Sequence, residues 1–340
     1  MNQPSHYQTV FFRELVRQRI DLHVYYATGL PADRRGLGWS EPAQEAYPQK
    51  VLNSKSEALC LAWRHRNAVH LVNGMWSVPV FFLISSALLF MGSDLYFHSE
   101  PPQSVRFKLL KRAWVRMAFY RARGLFAIGR RAADFYGQMG VPSDRIFPFM
   151  YFNRAPAIRP RPVGVGFTII YVGQLIARKR VLDLIHAVAK MSRAVSNTRL
   201  LIVGSGPQRV ELEEAVCALG LRTITEFRGA LPPDDVHIAI CNADVLVLPS
   251  VFDGWGVVVN EALQMGVPAI CSDGCGAAEL IEDHPKWGCV YPVGDISQLA
   301  AALHEVALNR EKFTPDIRDV EKTIGPEAMT TQFLRTVFAS

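Results

Sequence analysis

Between Asp244 and Glu279 the chain reads DVLVLPSVFDGWGVVVNEALQMGVPAICSDGCGAAE. Two carboxylates stand in its middle, Asp253 in a glycine-bracketed DGWG and Glu261 eight residues on. Counted along a helix at about 1.5 Å per residue they lie roughly 12 Å apart, a little over two turns. That is too wide for the acid and nucleophile of a retaining glycosidase. It suits a site that holds an elongated ligand at two points. A solvated loop aspartate and an ordinary helical glutamate is the competing explanation.

The elements that must position these acids can be read around them. DVLVLPS is a short β-branched run, the pattern of a strand buried on both faces. After the DGWG loop, VVVNEALQMG predicts a helix that closes at Gly266, with Pro268 just beyond. VPAICS predicts a second strand, and DGCGAAE a second glycine-bearing loop. Strand, glycine loop, helix and strand together aim the amides of a helix N-terminus past the edge of a sheet, where an anion can sit.

This block resembles the acidic motif of the retaining GT-B glycosyltransferases of family 4, the glycosyl transferases group 1. There, two acids separated by seven residues precede an A-x-x-x-G-x-P turn; here they are Asp253 and Glu261, followed by Ala262, Gly266 and Pro268. The first acid is Asp in place of the commoner Glu. The resemblance runs upstream through YVGQLIARKRVLDLI and LLIVGSGP and, more loosely, over the N-terminal half. It implies an α/β protein of GT-B architecture, two Rossmann-like domains facing a central cleft, that moves a sugar from a nucleoside diphosphate.

Such a transfer breaks the bond between an anomeric carbon and a diphosphate, so negative charge grows on the leaving group. Mg²⁺ can neutralise it, as can fixed cations and helix dipoles. No D-x-D signature occurs in the chain, and neither a metal nor another cofactor is expected. The resemblance places diphosphate contacts at Gln174 and Lys179. Gln174 stands where Arg is more frequent, leaving more of the charge to Lys179, with Arg178 and Arg180 beside it. The amides near Gly254, Trp255 and Gly256 are expected to complete the anion site. Glu261 is assigned to the ribose hydroxyls, a sound partner for a carboxylate acceptor, and Asp253 to the donor-sugar neighbourhood. Gly173 and the Gly204 and Gly206 turn are expected near the nucleotide, and Arg228 near its base. Alone, G-x-G with Arg209 in the third place is a weak dinucleotide fingerprint. His98, at the predicted C-terminal end of a strand, stands where the family often has a histidine near the donor sugar; a structural histidine is the alternative. The family retains anomeric configuration without a dedicated protein base, so none is named.

Around these motifs, 340 residues suffice for two domains. Three prolines and two glycines in RAPAIRPRPVGVG, Arg154 to Gly166, mark the boundary. The expected division is an N-terminal acceptor-side domain over 1–158, a linker over 159–166, and a nucleotide-sugar domain over 167–322. A last helix over 323–340 is expected to cross back to the first domain. In the second domain strands and helices alternate, which predicts a parallel sheet. In the first, helix Gln8 to Arg19 comes with no strand before it, although GT-B proteins normally begin with one. Residues 29–57 read as a long irregular loop, acceptor-side or merely a surface insertion.

The six cysteines form no C-x-x-C pair and fit reduced thiols. MNQPSHYQ carries no signal-peptide pattern. Val78 to Gly92 is apolar over about fifteen residues, short of the roughly twenty that span a bilayer; it reads as a buried helix or an interfacial one. Residues 1–160 hold 21 Lys and Arg against 10 Asp and Glu, a balance of +11, and residues 161–340 hold 16 against 21, a balance of −5. Val105 to Arg131 has nine bases and no acid. On a helix Lys108, Arg112 and Arg116 form one stripe and Leu110, Trp114 and Met117 another. That pattern fits an anionic membrane surface or a solvated face; nucleic acid lacks an accompanying motif.

The expected function is therefore a metal-independent retaining glycosyltransferase acting, in the cytoplasm or at the inner face of the plasma membrane, on a cell-envelope or exopolysaccharide acceptor, with a lipid-linked one expected. An inactive nucleotide-sugar-binding or regulatory GT-B protein is the alternative, suggested by the missing first strand. A nicotinamide-dependent oxidoreductase requires an acid at the end of the strand after the glycine turn, where ITEFRG offers Arg228.

Overall fold

The structure is a computed structural model that describes residues 4–30, 45–75, 78–102, 108–154 and 166–338. Among these, one unit comprises the described residues up to 152 together with those from 329 onward, and a second comprises those from 153 to 328. The proline-rich segment expected to divide two domains falls on 155–165, outside the described residues, as does most of the predicted irregular loop.

In the first unit the helix His6–Arg17 comes first, with no strand before it among the described residues. Strands β1 (Val24–Tyr26) and β2 (Gln49–Val51) then pair in parallel as a separate ribbon. Part of the stretch expected to be irregular is therefore ordered: it supplies β2 and the start of the helix Lys55–Arg64, whose cap Ser54 accepts from the Glu57 amide. Four parallel strands follow: β3 (His70–Asn73), β4 (Leu95–Ser99), β5 (Gly124–Ile128) and β6 (Ile146–Phe149), in that spatial order. β4 and β5 are buried along their whole length, as strands covered on both faces must be.

The connection from β3 to β4 is the helix Pro79–Met91, started by proline at its first turn and stopped at Gly92 in the left-handed region. It buries Phe81, Ser85, Leu88 and Leu89 but leaves Phe82 and Phe90 exposed, so it is a half-covered helix and not a buried one. The last helix, Pro326–Phe338, joins this unit from residue 329 on. Its Phe333 lies 5.0 Å from Phe11, 4.7 Å from Phe126 and 6.2 Å from Phe149, ring centroid to centroid.

The second unit is a six-stranded, wholly parallel sheet: β7 (Phe167–Val172), β8 (Thr198–Val203), β9 (Thr225–Gly229), β10 (Val245–Leu248), β11 (Ala269–Ser272) and β12 (Gly288–Tyr291). Their spatial order is β12-β11-β10-β7-β8-β9, the doubly wound arrangement. The order reverses between β7 and β10, so the loops leaving those two strands diverge over the two faces and open a crevice at the sheet's carboxyl edge. β10 and β11 are buried at every position, β10 as its β-branched run predicts. The helix Val181–Met191 buries seven residues and packs beside Ile296–Leu308. Neither β12 nor the helix Ile296–Leu308 was anticipated.

Phe333 closes the aromatic cluster that binds the C-terminal helix to the first unit. Phe333→Ala is expected to destabilise the chain by about 3 kcal/mol, the scale of truncating a buried aromatic. Urea unfolding checks this; a midpoint unchanged from wild type would show that the helix is not held there.

Candidate functional site

The site of the second unit is assembled at the switch between β7 and β10. After β7 the chain turns through Gly173 and Gln174 and enters a single 3-10 turn, Ala177–Lys179. Tyr171, fully buried, donates from its hydroxyl to the Gln174 carbonyl at 2.8 Å, which fixes the turn. Burial, and then the nearby Asp253 carboxylate, hold that hydroxyl far above its ordinary pKa, so it remains a donor. The loop after β8 lies directly against this turn. A Cβ on Gly204 would come within 1.8 Å of the Gly173 carbonyl oxygen, so no other residue fits there. Gly173 donates to Val203, Leu175 to Ser205, and Gly204 to Gly229, which layers the three loops in strand order.

The loops after β7 and β10 are stitched together in the same way. Val251 N–H donates to the Arg178 carbonyl at 2.8 Å, and the Arg178 guanidinium donates to the Phe252 carbonyl at 2.8 Å. Arg180 holds Asp183 through both ends of its guanidinium, from a left-handed backbone at φ 48°. Both arginines of ARKR are thus committed to protein. Lys179 is the remaining cation, and its ammonium pairs with the Asp253 carboxylate. The two side chains are only 11% and 18% exposed.

Asp253 does not begin the helix. It forms an isolated parallel bridge with Cys275 in the loop after β11, donating to Gly274 and accepting from Gly276. The helix Val257–Gln264 starts only after Gly256, which sits at φ 95° and supplies no side-chain cap. The two acids are therefore a loop residue and a residue of the helix's second turn, and a spacing counted along one helix does not describe them. Val259 N–H turns back to the Gly256 carbonyl, and the helix start lies beside Asp253, since a Cβ on Gly256 would fall 3.9 Å from its carboxyl carbon, a placement suited to an anion. Trp255 lends this loop its backbone alone: its ring is buried and donates Nε1–H to Asn260 at 2.9 Å.

Glu261 is buried on the same helix, and a residue absent from the sequence reading meets it. His237, on the helix Pro233–Cys241, places Nε2 3.6 Å from Glu261 Oε1. Hydrogen bonding to Glu261 raises the pKa of this histidine, against burial, which lowers it. No spacing rule could have found it, since the pair joins two helices through the order of β9 and β10 in the sheet. Arg228 lies on the edge strand β9, exposed, with its guanidinium on Glu226 at 2.9 Å.

His98 belongs to the first unit, next to last in β4. It is buried, lies edge-on to Phe149 and Tyr151, and lines a small cavity with Gln8 and Phe11. Neither ring nitrogen has a hydrogen-bond partner among the described residues. Burial pulls its pKa down to about 3, so the ring is neutral at any physiological pH.

Also in this unit, the basic helix is Lys108–Ala118; Arg106 and the start of the basic stretch lie outside the described residues. Its buried residues are Val115 and Ala118, while Leu110 and Met117 of the apolar stripe are exposed. Leu109, Leu110 and Met117 are 82%, 71% and 68% exposed, among Lys108, Arg112 and Arg116. Phe82 of the neighbouring helix packs on Trp114 at 5.1 Å, and Phe90, 85% exposed, stands where Arg121 caps that helix's last carbonyls. No helix among the described residues is long and apolar enough to cross a membrane. The described residues contain no group of His, Cys, Asp and Glu that could hold a metal ion.

Residues 162–318 match the family model of the glycosyl transferases group 1. A GDP-mannose-dependent alpha-(1-6)-phosphatidylinositol monomannoside mannosyltransferase of Mycobacterium tuberculosis is 28% identical over 202 residues, 57% of this chain and 52% of that protein. The chain thus spans about half of that relative's length. Among solved structures, Anabaena HepE in complex with UDP aligns over 100% of both chains with a TM-score of 0.79 at 17% identity. The apo lipopolysaccharide outer core galactosyltransferase WaaB aligns over 98% of this chain and 94% of its own with a TM-score of 0.71, also at 17% identity. These likenesses show the fold, the α/β GT-B fold with parallel sheets.

The depressed pKa of His98 gives a signed expectation. In the folded chain the ring stays unprotonated, whereas unfolded histidine takes up a proton near pH 6.5. Stability therefore falls as pH drops below about 6.5, by roughly 2 kcal/mol at pH 5 from this residue. Half-buried His70 is shifted in the same direction, so the comparison needed is between variants. Urea unfolding of His98→Gln is expected to show a shallower loss between pH 7 and pH 5 than wild type. Parallel pH profiles would mean that His98 is solvated.

Proposed function

We propose that this chain is a glycosyltransferase that moves a sugar from a nucleoside diphosphate to a cell-envelope or exopolysaccharide acceptor, keeping its anomeric configuration and using no bound metal. The observation that carries the reading is the Lys179–Asp253 pair set against the open start of the helix Val257–Gln264, at the switch point of a doubly wound sheet. A diphosphate there meets a fixed ammonium and helix amides, both of which stabilise the charge that grows on the leaving group. The family match over 162–318 supports the same chemistry.

The roles follow from the atoms. Lys179 exchanges its contact with Asp253 for the diphosphate. Gly173, Gln174, Gly204 and Gly206 provide a flat backbone wall for the nucleotide. Glu261 accepts from the ribose hydroxyls, and Asp253, once released, faces the sugar. In the first unit neutral His98 is suited to a sugar hydroxyl. Arg228 reaches a base only by leaving Glu226. Asp253 is paired with Lys179 and Glu261 lies against His237, so neither motif acid stands free to serve as base or nucleophile. The departing diphosphate is then the group left to take the acceptor's proton, in keeping with retention.

A lipid-linked acceptor is supported by the phosphatidylinositol monomannoside substrate in the name of the Mycobacterium tuberculosis relative. The exposed apolar and basic side chains of Lys108–Ala118, with Phe82 and Phe90, suit an anionic membrane at the cytoplasmic face.

A panel of UDP- and GDP-sugars, screened by thermal shift and then assayed for nucleoside diphosphate release, tests the proposal. Lys179→Ala and Glu261→Ala are each expected to lower kcat/KM for the donor about 30-fold, near 2 kcal/mol for a lost charge-assisted contact. EDTA is expected to leave the rate unchanged, and NMR of the product to show the donor's anomeric configuration. Binding without turnover across the panel would leave a nucleotide-sugar-binding protein instead.

The membrane reading has its own check. Vesicles containing phosphatidylglycerol are expected to co-sediment the protein, and pure phosphatidylcholine vesicles to leave it in solution. Leu110→Ser with Phe90→Ser should weaken the binding. Equal binding to both vesicle types would count against an anionic surface.

A further inference from the structure

Glu261 can accept hydrogen bonds at both carboxylate oxygens, and a ligand gains from it only if the group is turned the right way. A glutamate has three rotatable bonds, and fixing them at the moment of binding costs affinity. In this chain the carboxylate does not stand alone. Oε1 lies 3.6 Å from His237 Nε2, with the two side chains only 8% and 17% exposed respectively. His237 Nδ1 is buried and has no partner among the described residues. A proton on Nδ1 alone would be a buried donor left unpaired and would turn a bare lone pair on Nε2 toward a carboxylate. Whether the ring is neutral or charged, the hydrogen facing Glu261 is therefore on Nε2.

We propose that His237 is a positioning residue: its Nε2–H holds the Glu261 carboxylate in the orientation that receives the two ribose hydroxyls of a nucleoside diphosphate sugar. The inference rests on the donor-site reading of Glu261 given above. His237 itself touches no substrate. It restrains one oxygen and leaves the remaining acceptor capacity of the carboxylate to the ligand. The helix that follows β9 and the helix that follows β10 are thereby joined at the point where a ribose would sit.

The test is a chemical double cycle on the full chain. Equilibrium binding of UDP and GDP, and of their 2′,3′-dideoxy analogues, is measured by calorimetry for wild type, Glu261→Ala and three His237 variants. His237→Leu removes the donor, and His237→Asn keeps a polar group but sets its amide at the Nδ1 position, short of Glu261. His237→Gln returns an N–H near Nε2. Leu and Asn are each expected to weaken the ribonucleotide about 5- to 20-fold and the dideoxy analogue less than about 2-fold, with Gln restoring ribonucleotide binding to within about 3-fold of wild type. If Glu261→Ala discriminates between the two sugars and the Leu and Asn variants do not, or weaken both analogues alike, His237 does not position the acid. If Glu261→Ala itself fails to discriminate, the donor-site reading falls, and this inference falls with it.

Discussion

Two loops held edge to edge carry what the second unit offers a ligand. The segment leaving β7 and the segment leaving β10 exchange the Val251 to Arg178 backbone bond, and the Arg178 guanidinium adds its bond to Phe252. That brings Lys179 against Asp253, and the pair is mostly out of solvent. Removing two ions from water costs several kcal/mol each, and their attraction only partly offsets it. Such a pair is therefore weak support for the fold. Its physical sense lies in placement: the ammonium is fixed before any anion arrives, so little reorganisation remains to be done on binding.

The neighbouring cations show how that placement is kept specific. ARKR is three consecutive bases, and in isolation any of them could meet an anion. Arg178 is tied to a backbone carbonyl, and Arg180 to Asp183 from a strained left-handed position. Each fixes one side of the turn on which Lys179 stands. The flanking arginines build the geometry and the lysine is left with an exchangeable partner.

Much of this was legible in the sequence. The strands β7, β8 and β10 are apolar runs rich in β-branched residues and closed by glycine or proline, and a strand buried on both faces has little other way to be written. The positions of Lys179, Asp253 and Glu261 relative to those strands followed directly. What stayed hidden depends on which element lies next to which. His237 meets Glu261 only because the helix after β9 packs beside the helix after β10. Trp255 looked like part of a ligand loop, but Asn260, five residues on, takes its indole N–H into the core. Leu110, Trp114 and Met117 share a stripe in the sequence, but only the neighbouring elements decide that Val115 and Ala118 are covered while Leu110 and Met117 are not. Periodicity reports that a helix has an apolar face; a neighbour decides whether the face is covered.

The same contrast separates the two units in the chemistry they expose. The second unit presents loop amides, the Lys179 ammonium and two acids, Asp253 paired with that ammonium and Glu261 lying against His237. The described residues of the first unit present a neutral buried histidine and, on the helices Pro79–Met91 and Lys108–Ala118, exposed aromatic and aliphatic side chains among arginines and lysines. Scattered exposed apolar residues need no explanation, but a cluster on two packed helices with cations around it does. Its apolar members gain nothing from water, and its charges gain nothing from a neutral protein partner. That is the physical ground for proposing a surface that is at once anionic and apolar just beneath.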